Sequence, residues 1–236
     1  MAKLAWDAQG QHFYETGVDH CVLYTLNSAG TAYTNGYAWN GVSSINESPS
    51  GADESPIYAD NIKYLSLRAA EEFGCTIECY TYPDQFAICN GEAIPDVGIT
   101  IGQQARTTFG LSYRTIIGND AKGNDYGYKL HLVYGCTAAP SERSYSTVND
   151  SPEAGTFSFE VKTVPAAIDG YKNTALITID STKVVKANLE ALEALLYGTD
   201  GVSGTDPQLP SPSTVLTTLG LTWDSTNKVW TPPSHT

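Results

Sequence analysis

The chain has 236 residues, 41% of them hydrophobic and 17% charged, with a formal net charge of −13. That length can bury one large core or two small ones. The acidic balance excludes a protein that wraps nucleic acid, since phosphate binding needs clustered Lys and Arg. Fifteen Tyr, one Met and many Thr and Ser favour sheet over helix bundle. No stretch approaches the ~20 apolar residues of a membrane span, and no apolar leader follows Met1. The five cysteines (Cys21, Cys75, Cys79, Cys89 and Cys136) form no CxxC pair. Reduced, buried thiols are therefore expected of a protein made and kept soluble in a cytoplasm.

In chain order, residues 1–19 hold Trp6, Phe13 and Tyr14 without a clear period. Residues 21–26 read as a short strand with Val22, Tyr24 and Leu26 on one side. Residues 31–39 are a second extended candidate, weakened by Asn35-Gly36. Residues 46–61, NESPSGADESPIYADN, then break the pattern with two Pro, one Gly, four acids and no base. They read as a long connection, of the kind that is functional or disordered. Ile57 and Tyr58 inside it would be wasted on solvent. Residues 62–67 and 73–82 return to strand, the second alternating Phe73, Cys75, Ile77 and Cys79 with polar neighbours.

The strongest pattern is the hairpin 107–136. In its first run Thr107, Phe109, Leu111, Tyr113, Thr115 and Ile117 point one way, against Thr108, Gly110, Ser112 and Arg114. In its second run Tyr126, Tyr128, Leu130, Leu132, Tyr134 and Cys136 share a face, opposed by Gly127, Lys129, His131 and Gly135. Period two over ten residues, with a Gly/Asn/Asp turn between the runs, means a long antiparallel ribbon with one apolar and one polar face. Residues 156–164 and 175–180 alternate again. A single helix is predicted over 182–197, with Val185, Leu189, Leu192 and Leu196 as its stripe, Ser181 or Thr182 as cap and Gly198 as stop. The expected fold is mainly β with one flanking α-helix, its stripe laid on the sheet.

No catalytic constellation stands out, and no cofactor or metal site is expected. The four histidines (His12, His20, His131 and His235) lack zinc-finger or HExxH spacing. Gly110-Leu111-Ser112-Tyr113-Arg114 lacks the last glycine of a nucleophile elbow. Neither a P-loop nor a GxGxxG is present. Asn119-Asp120 and Asn124-Asp125 fit a hairpin turn better than a calcium loop. Cys75 and Cys79 read as small core residues, and Asp53-Glu54 and Glu71-Glu72 as solvated acids.

The order of segments carries a resemblance. GYAWNG, NESPSGADESPIYADNIKYL, AAEEFGCTIECYTYPDQF and IGQQARTTFGLSYRTIIGNDAKGNDYGYKLHLVYGC resemble the major tail proteins of long-tailed, non-contractile (siphovirus-type) bacteriophages. So do SERSYSTVNDSPEAGTFSFEV and ITIDSTKVVKANLEALEALLYGTDG, and together they cover roughly residues 6–203. The resemblance implies a tail-tube β-sandwich or half-barrel over residues 1–203, with 204–236 as a C-terminal extension. It implies a structural virion protein, not an enzyme. Six copies would close into a ring, and rings would stack into the tube through which DNA passes without specific binding. Implied partners are other copies of the chain, the tape measure protein, the tail terminator and the tail-tip or initiator proteins, with no membrane. The tail would be assembled in the host cytoplasm.

On this reading residues 46–61 are the loop that reaches the neighbouring ring: Asn46, Glu47, Ser48, Pro49, Ser50, Gly51, Ala52, Asp53, Glu54, Ser55, Pro56, Ile57, Tyr58, Ala59, Asp60 and Asn61. Deleting 48–58 is then expected to leave a folded monomer that cannot stack. Ser112, Arg114, Lys129 and His131 are candidate lumen-facing residues. Lumens in this family are electronegative, yet the acids here concentrate in residues 47–96, ten Asp and Glu against Lys63 and Arg68. Other strands line the lumen, loops supply its charge, or this tube is less acidic inside. Two rivals from other classes are a monomeric β-sandwich binding module on a virion or cell surface and a carboxylate-pair glycosidase.

Overall fold

The computed structural model describes residues 6–145, 147, 154–201 and 204–233. Its elements begin with β1 (Phe13–Leu26), β2 (Tyr33–Ala38) and β3 (Val42–Glu47). Next come β4 (Ser50–Gly51), β5 (Glu54–Ala59), β6 (Ile62–Arg68), β7 (Glu71–Glu72) and β8 (Gly74–Cys79). A one-turn α1 (Phe86–Cys89) leads to β9 (Ala93–Asp96) and β10 (Ile99–Ile101), then to the long pair β11 (Phe109–Asn119) and β12 (Gly123–Ala138). The chain closes through β13 (Phe157–Thr163), β14 (Leu176–Asp180), α2 (Lys186–Tyr197), α3 (Pro212–Thr218), β15 (Thr222–Asp224) and β16 (Val229–Thr231).

The main sheet is antiparallel, in the order β2-β1-β11-β12-β13-β8-β3, with β14 branching from β12. The branch comes from a bend. Lys129–Val133 of β12 pair with β14, whereas Cys136–Ala138 pair with β13. At the bend Gly135 has φ +63°, and a Cβ there would lie 2.1 Å from the Val164 carbonyl oxygen, so only glycine fits. The sheet curls until β3 lies back against β1, which makes a half-barrel.

Both faces of the central strands are therefore covered. Inside the half-barrel, Leu23, Leu111, Val133, Cys136, Ile77 and Val161 pack with Trp39, Phe86 and Phe159. On the outside, Val22, Tyr24, Leu130, Leu132 and Tyr134 meet Leu189, Leu192 and Leu196 of α2. The five cysteines are free and buried, and burial raises every one of their thiol pKa values.

Several expectations change in detail. The first strand starts eight residues early, at Phe13. Register shifts around Gly17 (φ +64°) and His20 (φ +48°) break the period that would have revealed it. Asn35-Gly36 lies within β2; the missing Cβ of Gly36 makes room for Pro207. The long helix starts at Lys186, and its N-cap position is Val185, which supplies no side-chain bond. Ser181 instead accepts from the Tyr128 amide, and Thr182 turns back onto Asp180. The sequence pattern also missed α3, which is capped by Ser211 and opened by Pro212.

The boundary near residue 203 is not a structural one. Leu209, Val215 and Leu219 belong to the core under α2. The Tyr134 hydroxyl donates to the Pro210 carbonyl, and the Leu209 amide donates to Tyr33. Trp223 and Trp230 pack together at 5.3 Å, and the Trp230 indole donates to the Asp169 carbonyl. Residues 204–233 are thus part of the folded unit, not an extension. Leu209→Ala should cost about 2–5 kcal/mol in urea unfolding, where a detachable tail would show no change.

Candidate assembly surface

The segment 46–61, read from sequence as a loop, is half of a β-ribbon arm. β3 pairs with β8, β4 with β7 and β5 with β6, so the chain runs out and back along one interrupted ladder. The two-residue turn at the tip is Asp60-Asn61, with φ of 50° and 63°. Positive φ at both positions is the type I′ geometry that matches strand twist, and Asp and Asn tolerate it. Pro56 sits on a free edge of the ribbon, where its missing N–H costs nothing and blocks further pairing.

The cross-strand pairs sort the arm's side chains onto two faces. Glu54, Ser66, Lys63 and Arg68 share one, with Glu54 hydrogen-bonded to Lys63 and Ser66 and 4.0 Å from Arg68. Ile57, Leu65, Leu67, Ala59 and Ile62 share the other, and none of the described residues forms a layer over it. Tyr58 is 68% exposed, Ile62 63% and Tyr64 69%. An isolated two-stranded ribbon is marginal in water, and this one also holds a strip of apolar side chains in solvent. A second, shorter ribbon, β9–β10, presents Ile94, Ile99 and Ile101, with Val97 at its tip 95% exposed.

The four hairpin residues expected on one polar face do not share a face. The register pairs Arg114 with Leu130 and Thr115 with Lys129. Ser112 and Arg114 therefore lie on the helix side, and Lys129 and His131 on the half-barrel side. Ser112 is fully buried. The Tyr24 hydroxyl gives its proton to the Leu196 carbonyl at 2.9 Å, so Ser112 Oγ donates to it at 3.1 Å. Arg114 forks onto Asp19, Nε to Oδ1 at 2.8 Å and Nη2 to Oδ2 at 3.0 Å, with its guanidinium 4.5 Å from the Tyr128 ring. Lys129 pairs with Glu15. His131, 7% exposed, stacks on Tyr113 at 4.6 Å. Among the described residues these four form no open polar strip, because a second layer covers the middle of the hairpin on each face.

Where the arm leaves the body, the Tyr113 hydroxyl donates to Glu47 Oε1 at 2.6 Å, and His131 Nδ1 lies 3.5 Å from the same oxygen. Burial lowers the His131 pKa and raises that of Tyr113. This cluster brings together residues 66 and 84 positions apart, which no local spacing signals. Elsewhere, Phe13, Tyr14 and Tyr126 wall an open groove of about 480 Å³ beside Lys129 and Lys183. Among the described residues no group of three or more His, Cys, Asp or Glu converges as a metal site, and no helix is long and apolar enough to cross a membrane. The chain matches no protein-family model, and comparison with curated proteins returns no match.

Arg114 holds the Asp19 carboxyl below its usual 3.8. A depressed carboxylate stabilises the fold above its unfolded value and loses that contribution as pH falls through the folded one. Wild type and Arg114→Met should therefore differ in urea midpoint at pH 7, and the difference should shrink below about pH 3.8. A gap that stays constant to pH 2.5 would contradict the pair's role.

Proposed function

We propose that the chain is a structural subunit that polymerises as stacked rings into a phage tail tube, through which DNA is delivered. The observation that carries this reading is the arm. A folded body with a well-packed core projects an amphipathic ribbon whose apolar face has nothing to bury against among the described residues. Such a face is stable once a neighbour covers it. A donor element on one surface and an acceptor on another generate an open, head-to-tail assembly rather than a closed dimer. The outer edge of β14 supports lateral contacts, since among the described residues that strand ladders with β12 alone. Six copies per ring, and the tape measure, terminator and initiator partners, come from the resemblance to major tail proteins. A net charge of −13 suits a conduit to which DNA does not adhere.

The test is electron microscopy of concentrated protein beside its size-exclusion profile, with and without a tail initiator complex. Stacked rings with a central channel are expected. The matched variant replaces residues 52–70 with a two-residue turn, because deleting 48–58 would remove one strand and strand the other. It should stay folded and monomeric; full-length tubes from it would refute the arm's role. The aromatic groove at Phe13, Tyr14 and Tyr126 favours a second reading, a monomeric sugar- or receptor-binding module. That reading gains if the full chain never polymerises with initiator and binds a glycan array.

A further inference from the structure

The cluster at the root of the arm sits where a folded strand becomes an exposed one. Glu47 ends β3, and the Ser48 amide still donates to the Gly74 carbonyl at 2.8 Å. Beyond it, from Ser48 to Tyr58, every residue is exposed. On the outgoing strand the side-chain tie between this root and the main sheet is Glu47, held by the Tyr113 hydroxyl; on the returning strand Thr163 Oγ1 donates to the Phe73 carbonyl at 2.6 Å. Behind that bond His131 lies stacked on the Tyr113 ring. Its Nε2 is 3.0 Å from Thr115 Oγ1, and its Nδ1 is 3.4 Å from Thr178 Oγ1.

We propose that Glu47, Tyr113 and His131 form an acid-released latch that fixes the arm at neutral pH and frees its root when His131 takes a proton. The charged and titratable groups facing the imidazole are Glu15 from β1, Glu47 from β3, Tyr113 from β11 and Lys129 from β12. Glu47 and Glu15 favour the imidazolium; Lys129 opposes it. Burial opposes it more than any of these, and it sets the direction of the shift. A charge placed in that site is relieved by water reaching the ring. The cheapest opening displaces Glu47, because no buried residue comes after it for the length of the outgoing strand.

The opened site titrates near the ordinary histidine value of 6.5 and the closed one lower. Between the two the open state holds more protons, so the latch is closed above about 6.5 and weakens as pH falls below it. The latch belongs to the single subunit and is independent of what the arm docks against.

The experiment is amide hydrogen exchange on the full-length monomer from pH 7.5 to 4.5, corrected for the intrinsic pH dependence of exchange. The probe is the Ser48 amide, with Leu132 as a core reference. Protection at the root should be lost progressively below pH 6.5 while Leu132 stays protected. His131→Gln, which cannot take up the proton, should abolish the fall. Glu47→Gln removes from the closed site an anion that favours the imidazolium and leaves the opened site unchanged, so the fall, measured from its own pH 7.5 protection, should start at the same pH and run deeper. The latch is refuted if wild-type protection is flat while the fold persists, or if His131→Gln loses protection over the same range. Should that variant fail to fold, a fall in Glu47→Gln no deeper than in wild type refutes it equally.

Discussion

Burial of the β11–β12 hairpin on both faces governs the rest of the structure. A strand pair covered on one side needs one apolar face; one covered on both sides needs a second layer for each. β12 meets the demand by bending at Gly135, so that its first half carries the sheet under α2 and its last residues start the strands that curl back as the half-barrel. The bend also reverses the parity of the strand beyond it: Val133 and Cys136, three apart, both point into the half-barrel core. Polar side chains caught in this double cover are matched one by one, Ser112 to Tyr24, Arg114 to Asp19 and His131 to two threonines. An unmatched polar group there would cost about 1–3 kcal/mol.

The arm obeys the opposite logic. Its ladder continues that of β3 and β8, but among the described residues neither a helix nor a second sheet lies over it. Its polar face satisfies itself through Glu54, Lys63 and Ser66, while its apolar face lies in solvent. Body and arm thus differ in kind: the body buries its apolar side chains, and the arm leaves a strip of them bare.

Strands were legible wherever one period held without interruption, as in residues 107–117 and 156–164. Register was not. Once both faces are buried, hydrophobic alternation no longer says which residue opposes which, so Arg114 and Lys129 were placed on one face when pairing sets them on two. The arm was hidden because Pro49, Gly51 and Pro56 imitate a loop, and because its turn is Asp-Asn rather than the more telling Asn-Gly. A bulge between Ile57 and Tyr58 further breaks the alternation. The root cluster joins β3, β11 and β12, a juxtaposition that only the closed half-barrel creates. The C-terminal stretch was undervalued for a related reason: Leu209, Val215 and Leu219 sit among Pro, Ser and Thr, and their value lies in a surface supplied by α2 and Tyr134.

The five cysteines have a consequence for anyone wishing to watch this chain. Each thiol is buried and free, with its ionisation suppressed, so little thiolate reaches an oxidant or alkylating probe in the native state. The native surface is in effect thiol-blank. A single cysteine placed at the arm tip, at Ala59 for example, would be the one reactive sulfur among the described residues. It would let a spectroscopic or cross-linking label report on the ribbon against an unlabelled body.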